Sequence, residues 1–464
     1  MERMRLVLVG TAALSATTML GAVEPRPGVA LAAGFAVYVG LTLWSVLARP
    51  ARTARIAGAA DHGRLGLQAL AVAAVLALAD RHLVVASPVL APDDIAVAVT
   101  AVVCLGLAAR APHLAGRPLV TGLALAAYAL VCVSLISGTR YQSDAVANVH
   151  RAAELVLAGA NPYRTIDTYE SLDRFGLDRS LVTNLEDGTP LRSFNYPALA
   201  FLLPAPAVAL GLADVRVLYA GLLLLATLAA TASCAAAWRP YVLATVIGNV
   251  VIARQYVLAG IDPTWAILLG ASLLLLRRAG SGTTSRWLPL SAVLLGLAAA
   301  SRQPPWFAAP FLLAAVWRDR GSAAALRYAA IALAAFIVPA LPFLVTAPAD
   351  YLGGMLAPIL LPLEPHGIGL VRLGAEGVLP LLPRGAYTAL AAAALLAAFL
   401  VAQGRRPALI GLPALAIAPL YVGWRALQNY FAFAGTFAAL AVAFDDEDER
   451  EGRSPYALAG QGGA

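Results

Sequence analysis

The sequence predicts an all-α polytopic membrane protein with about 13 transmembrane helices and one large extracytoplasmic loop that contains an amphipathic helix. Three observations carry that prediction. Hydrophobic residues make up 60% of the 464 positions and charged residues 13%, where a soluble domain holds about 25% charged residues. Apolar runs of roughly 20 residues, long enough to cross a bilayer core, recur along the whole chain. Only the interval 138–194 is both long and polar.

The first run, 6–23, follows Met1-Glu2-Arg3-Met4-Arg5. It reads as a retained span, because no small-residue cleavage site with a soluble domain behind it follows. The second run, 29–47, leads into a linker with Arg49, Arg52, Arg55 and Arg64. The third, 65–86, precedes Asp93 and Asp94; the fourth, 95–109, precedes Arg110, His113 and Arg117; the fifth is 119–136. A cytoplasmic N-terminus puts each arginine-rich linker inside and the acidic pair and the long loop outside. Asp80-Arg81, near the outer end of the third run, reads as a local ion pair or as part of a polar pocket.

Beyond the loop, apolar runs fall at 196–212, 215–238, 241–258, 265–276, 288–300, 306–317, 328–345, 386–401, 408–422 and 430–444. Several are short and interrupted by proline, which is tolerated where neighbouring helices or a cavity satisfy the freed backbone groups. The parity between 212 and 277 calls for one half-buried or re-entrant run. Asp445 to Glu451, followed by small residues, reads as a disordered acidic cytoplasmic tail. The expected organisation is a four-helix N-terminal membrane module at 1–118, a catalytic membrane domain at 119–444 that includes the outer loop 139–194, and the tail 445–464.

All 33 basic residues are arginine and the formal charge is +7. Their position in short linkers fits the positive-inside rule rather than a nucleic-acid partner. Cys104, Cys132 and Cys234 lie within apolar runs and read as small buried hydrophobes, not as a disulfide framework or a zinc site.

The loop carries most of the titratable chemistry. Ser143 is suited to cap a helix whose first turn holds Asp144, and Val146, Val149, Ala153 and Val156 follow at helical spacing. Gly159 ends that helix and Pro162 prevents its resumption. An amphipathic helix lying on the outer leaflet is expected, with Asp144 at the mouth of the helix bundle, where a carboxylate can take the proton of a hydroxyl. The ordinary alternative is an acid that merely complements the helix dipole.

An Asp just after a span, an amphipathic stretch ending in Gly159-Ala160-Asn161-Pro162-Tyr163, and Phe194-Asn195-Tyr196-Pro197 opening the next span together resemble the GT-C class of membrane glycosyltransferases. More narrowly they are similar to glycosyltransferase family 87, the polyprenyl-phosphate-dependent mannosyl- and arabinofuranosyltransferases of actinobacterial envelopes. The resemblance covers roughly 119–444 and rests on the order of short motifs. It implies that Asp144 is the general base and that Tyr141, Asn161, Tyr163, Tyr196 and Asp262 contact substrate. The chain departs from the family in two motifs and in its length. Ala198 replaces the second proline of the family's Tyr-Pro-Pro, Gly260-Ile261-Asp262 lacks the family's glutamine although Gln255 is near, and five spans precede the loop where one is usual.

Chemistry of that kind needs cations for a phosphate leaving group, and arginine forks onto phosphate oxygens without losing its proton. Arg302, Arg425 and Arg254 lie within or at the ends of apolar runs, where a charge is costly. They are the donor-phosphate candidates, against the ordinary alternative of an arginine that snorkels to headgroups. Gln428, Asn429 and Tyr430 follow Arg425 and are expected to line the same cavity. In a second outer loop, 349–384, Glu364 and His366 are candidate acceptor contacts or plain loop residues. No ligand spacing for a metal is present, and no cofactor is expected beyond a lipid-linked sugar donor. The expected partners are a polyprenyl-phosphate sugar, a glycan or glycolipid acceptor and the bilayer. The expected location is the plasma membrane, multi-pass, with both termini cytoplasmic and the catalytic loop outside. A transporter or flippase of a lipid-linked sugar is the alternative from another class.

Overall fold

The structure, a computed structural model, describes residues 1–20, 27–48, 59–85, 91–280 and 285–450. Those residues are almost wholly helical. The described strands form one two-residue parallel pair, His366–Gly367 against Arg425–Ala426.

Seven helices are long and apolar enough to cross a membrane: Gly28–Leu47, Ala60–Val84, Pro92–Arg110, Pro118–Ser137, Val215–Ala232, Ser322–Thr346 and Arg384–Arg405. A bent pair, Ala236–Ile247 with Val250–Leu258, adds an eighth if its two halves form one span. Other runs that the sequence offers toward about 13 spans fold as shorter helices. Trp287–Ser301 and Thr264–Arg278 have 15 residues each, which rise only about 22 Å against a hydrocarbon core of roughly 30 Å. The first helix, Glu2–Leu20, carries Glu2, Arg3 and Arg5 in its opening turns.

The bent pair falls between 212 and 277, where the expected span parity does not close. Its halves meet at 51°, at Gly248-Asn249, and the freed backbone is satisfied there by side chains. Ser15 donates to the Gly248 carbonyl at 2.5 Å and its hydroxyl accepts from Val250 N–H at 3.3 Å. Asn249 caps the second half by accepting from Val251 N–H at 3.1 Å, and its amide donates to the Ala432 carbonyl at 2.8 Å. A side-chain-satisfied break of this sort is how a helix interruption survives inside a bundle.

One hydrophobic core runs through the described chain from Met4 to Phe444, joining Leu67, Leu70 and Tyr128 of the early helices to Trp238, Trp265 and Phe437 of the later ones. Position 118 is therefore not a packing boundary, and the first four helices are built into the same body as the rest.

Two sequence expectations about charge change here. Asp80 and Arg81 do not pair with each other. Adjacent residues on a helix point about 100° apart, so Asp80 meets Arg254 at 2.7 Å while Arg81 meets Asp93 at 2.9 Å and its neighbour His82 meets Asp94 at 3.0 Å. The acidic tail is also not wholly a solvated end. Helix Ala434–Arg450 continues through its first six residues. Asp445 bridges to Arg3 at 2.8 Å, Asp448 to Arg277 at 2.9 Å, and Asp446 accepts from the Trp238 indole at 3.1 Å. Residues 451–464 lie outside the described residues.

Candidate functional site

The site is built where the long polar interval returns to the bundle. Ser143, in extended conformation, caps helix Asp144–Leu157 as its sequence predicts, accepting from Val146 N–H at 3.4 Å and donating to the Ala259 carbonyl at 2.8 Å. Gly159, with φ 77°, ends it. The helix does not lie on a leaflet. Nine of its 14 residues are buried, and Val149, Ala152, Ala153 and Leu155 pack with Phe194 at the end of the loop, with Ala198 just after it, and with Ala200, Phe201 and Ala205 in the short helices that follow. The apolar stripe that suits a lipid surface suits a protein surface equally well, and here the protein covers it.

Asp144 is the first residue of that helix and is held from across the loop. Thr183 donates to its Oδ2 from the backbone at 3.2 Å and from the hydroxyl at 3.3 Å. Burial pushes the Asp144 carboxyl up from its ordinary value, and the Thr183 hydrogen bonds and the positive charge of Arg425 oppose that rise.

From Thr183 a continuous set of backbone contacts leads to Arg425. Glu364 N–H donates to the Asn184 carbonyl at 3.0 Å and Glu186 N–H to the Pro362 carbonyl at 2.8 Å, so the two polar loops interlace. Arg425 donates to the Glu364 carbonyl at 3.3 Å, and the neighbouring Trp424 indole donates to the Leu363 carbonyl at 2.6 Å. His366 is the strand partner of Arg425, and burial, followed by the Arg425 charge, holds its imidazole below the usual value. Gly367 is required between them: φ is 129°, and a Cβ there would come within 2.2 Å of the Ala426 carbonyl oxygen.

Arg302 completes the cluster. It follows helix Trp287–Ser301 in extended conformation, is 6% exposed, and sets its guanidinium over the Tyr196 ring at 4.2 Å. Asp262, Tyr219 and Tyr430 also lie within its electrostatic reach. Arg302 Nε, Asp262 Oδ2 and the Tyr219 hydroxyl are all buried without a hydrogen-bond partner. Asp262 Oδ1 is already occupied, by Thr264 N–H at 2.8 Å. Tyr196 feels the charges of both Arg302 and Asp144, and Tyr430 those of both Arg425 and Arg302. Asp144, Arg302 and Arg425 are therefore within electrostatic reach of one another or of shared tyrosines, Arg425 of Asp144, Arg302 and Asp144 of Tyr196, and Arg302 and Arg425 of Tyr430.

The remaining sequence candidates have other partners. Arg254 is engaged by Asp80 at 2.7 Å and the Thr18 carbonyl at 3.4 Å. Asn161 caps its own turn by accepting from Tyr163 N–H at 3.1 Å, and its amide donates to Thr346 at 3.1 Å. Tyr163 packs among Phe194, Phe201, Phe343 and Tyr351 and donates to the Tyr196 carbonyl at 2.8 Å. That makes it a support of Tyr196. Tyr141 accepts from Val215 N–H at 3.1 Å and pairs with His150 at 2.9 Å, which makes it a strut. Gln428 accepts from Gln255 at 3.2 Å, and the Asn429 carbonyl accepts from the Tyr256 hydroxyl.

The sequence reading passed over Thr183, Tyr219 and above all Arg216. Arg216 is 2% exposed. It pairs with Asp214 at 2.7 Å and donates to Thr139 Oγ1 and to the carbonyls of Ile136, Thr139, Arg140 and Leu258 at 2.8 to 3.1 Å. It ties the end of Pro118–Ser137 and the end of the bent pair to the start of its own helix, Val215–Ala232. The available signal was an Asp-x-Arg at the head of an apolar run. Among the described residues, no group of three or more His, Cys, Asp or Glu is arranged to hold a metal ion.

Fold and site together define a mostly helical protein with seven helices long and apolar enough to cross a membrane and a partly buried charged cluster at the end of its bundle that bears the polar loops. No family model, no curated protein and no solved structure matches the chain.

Proposed function

We propose that the protein is an integral membrane glycosyltransferase of GT-C-like architecture. It moves mannose or arabinofuranose from a polyprenyl-phosphate donor to a glycan or glycolipid acceptor on the extracytoplasmic face of the plasma membrane. The observation that carries this reading is a half-buried carboxylate, Asp144, within electrostatic reach of two arginines, Arg302 and Arg425, at the loop end of the bundle.

The chemistry is a single displacement. Asp144 accepts the acceptor hydroxyl proton as the new carbon–oxygen bond forms at the anomeric carbon. The bond from that carbon to the donor phosphate oxygen breaks and its electron pair leaves with the polyprenyl phosphate. Arg302 and Arg425 hold the departing oxygens, and inversion at the anomeric carbon follows. The Arg3–Asp445 pair supports both termini being on one side, and the arginine-rich linkers assign that side to the cytoplasm.

The test is transfer itself: purified protein, labelled polyprenyl-phosphate mannose or arabinofuranose, and envelope glycolipid as acceptor. The expected result is label on the glycan and free polyprenyl phosphate in equal amounts. The bent pair at Gly248-Asn249 favours a second reading, a flippase, because broken helices line transport sites. Movement of the labelled donor across vesicles with no transfer decides for it.

A further inference from the structure

The Trp287–Ser301 helix has a different site at each end. Arg302 follows its last residue. At its start, about 22 Å away by the helical rise, lies a cavity of about 450 Å³ between this helix and Ser322–Thr346. Its lining includes Arg286, Arg320, Arg327, Ser285 and Tyr328, with Leu288, Pro289 and Ile331 forming apolar wall. Among the described residues that line it, none is acidic. The nearest acid in sequence, Asp319, is bonded to Arg318 at 3.1 Å.

Two exposed arginines, Arg286 and Arg327, and the half-buried Arg320, which also feels Asp319, line one space, and guanidinium groups match phosphate oxygens in geometry as well as charge. Arg286 is exposed and stacks on Trp287 at 4.7 Å, with Arg278 on the same ring at 4.9 Å. Arg327 is exposed. Arg320 is half-buried and reaches the Gly280 carbonyl. The floor is fixed: Tyr328 is 1% exposed, and its hydroxyl bonds Ser291 at 2.9 Å.

The surroundings choose the source of the anion. Leu290, Leu326 and Leu333 are 43%, 71% and 58% exposed on the two helices that wall the cavity, so apolar surface continues away from it as acyl chains would. A tryptophan and arginines at a helix end are the usual furniture of a membrane interface, and basic pockets between helices take anionic headgroups. A soluble anion would have no use for the leucines.

We propose that this cavity binds the phosphate headgroup of an anionic lipid, at the end of the bundle opposite the Asp144 cluster. The proposal does not depend on the transfer reaction.

The test is binding of phosphatidylglycerol to the full chain by native mass spectrometry from detergent, against phosphatidylcholine and inorganic phosphate. Wild type should retain phosphatidylglycerol and neither of the others. The double variant Arg286→Gln, Arg327→Gln should bind it about 25-fold more weakly, from roughly fivefold per arginine. Both side chains are exposed, so its melting in phosphatidylcholine nanodiscs should match wild type. The single variant Arg327→Lys keeps the charge and should retain most of the binding. Equal retention of phosphatidylglycerol by wild type and the double variant overturns the proposal. So does inorganic phosphate competing fully with the lipid, which makes the ligand a soluble anion.

Discussion

Arg216 and Arg302 are both buried arginines near the loop end of the bundle, at 2% and 6% exposure, and they have opposite surroundings. Arg216 has a carboxylate, a hydroxyl and four carbonyls around its guanidinium. Arg302 has an aromatic face, an acid within reach, and a buried Nε with nothing to donate to. Burying a charge is tolerated when its hydrogen bonds are made inside the protein. Arg216 meets that condition and so is a structural clamp. Arg302, Asp262 and Tyr219 do not fully meet it, and a polar atom left open in a buried cluster is where a polar occupant belongs.

Truncating the clamp should have the largest effect on the fold. Arg216→Ala strands Asp214 and four carbonyls and should lower stability by about 3–5 kcal/mol, read as a drop in melting temperature in detergent; an unchanged melt would erase the contrast with Arg302. Arg302→Gln should do the reverse. Its melting should stay close to wild type while transfer falls by about 10²–10³-fold, the usual loss when a preorganised charge at the reacting group is removed. If Arg302→Gln unfolds the protein and leaves specific activity intact, the two arginines are alike after all.

A smaller effect follows from pH. Burial raises the Asp144 carboxyl, so it protonates on acidification before an ordinary aspartate does. Transfer that needs the carboxylate should therefore decline, as pH falls, already above the usual aspartate range of about 4. For stability the sign is opposite. A carboxyl whose folded-state value is raised favours the folded state most below its unfolded value, and that contribution is lost as pH rises through the folded one. An acid limb at the ordinary aspartate value would remove Asp144 from the proton-taking role. Smallest is Tyr163→Phe, which deletes only the hydrogen bond to the Tyr196 carbonyl. It should cost about 1 kcal/mol of stability, with a modest loss of activity through the displaced Tyr196.

What the sequence made readable was local. The cap at Ser143, the helix from Asp144 and its end at Gly159 follow from residue types within one or two turns, and the structure has all three. Most of the apolar runs are helices for the same reason. Partner choice was not readable. Periodicity assigns a buried face to Asp80, Arg81 and Arg254 but cannot say that Asp80 meets a residue 174 positions away while Arg81 turns to Asp93. Composition likewise makes 445–450 look solvated, because Arg3, Trp238 and Arg277, which neutralise or hydrogen-bond it, lie far off in sequence. Thr183 and Glu364, which link Asp144 to Arg425, come together only when two loops about 180 residues apart interlace.

The account stands most directly on Asp144→Asn, measured for transfer and for melting in the same preparation. The substitution keeps the shape and removes a half-buried charge. Transfer should fall by about 10²–10⁴-fold while the melting temperature holds or rises. Full transfer by that variant would contradict the central claim, and the acid at the head of the loop helix would then merely complement the helix dipole.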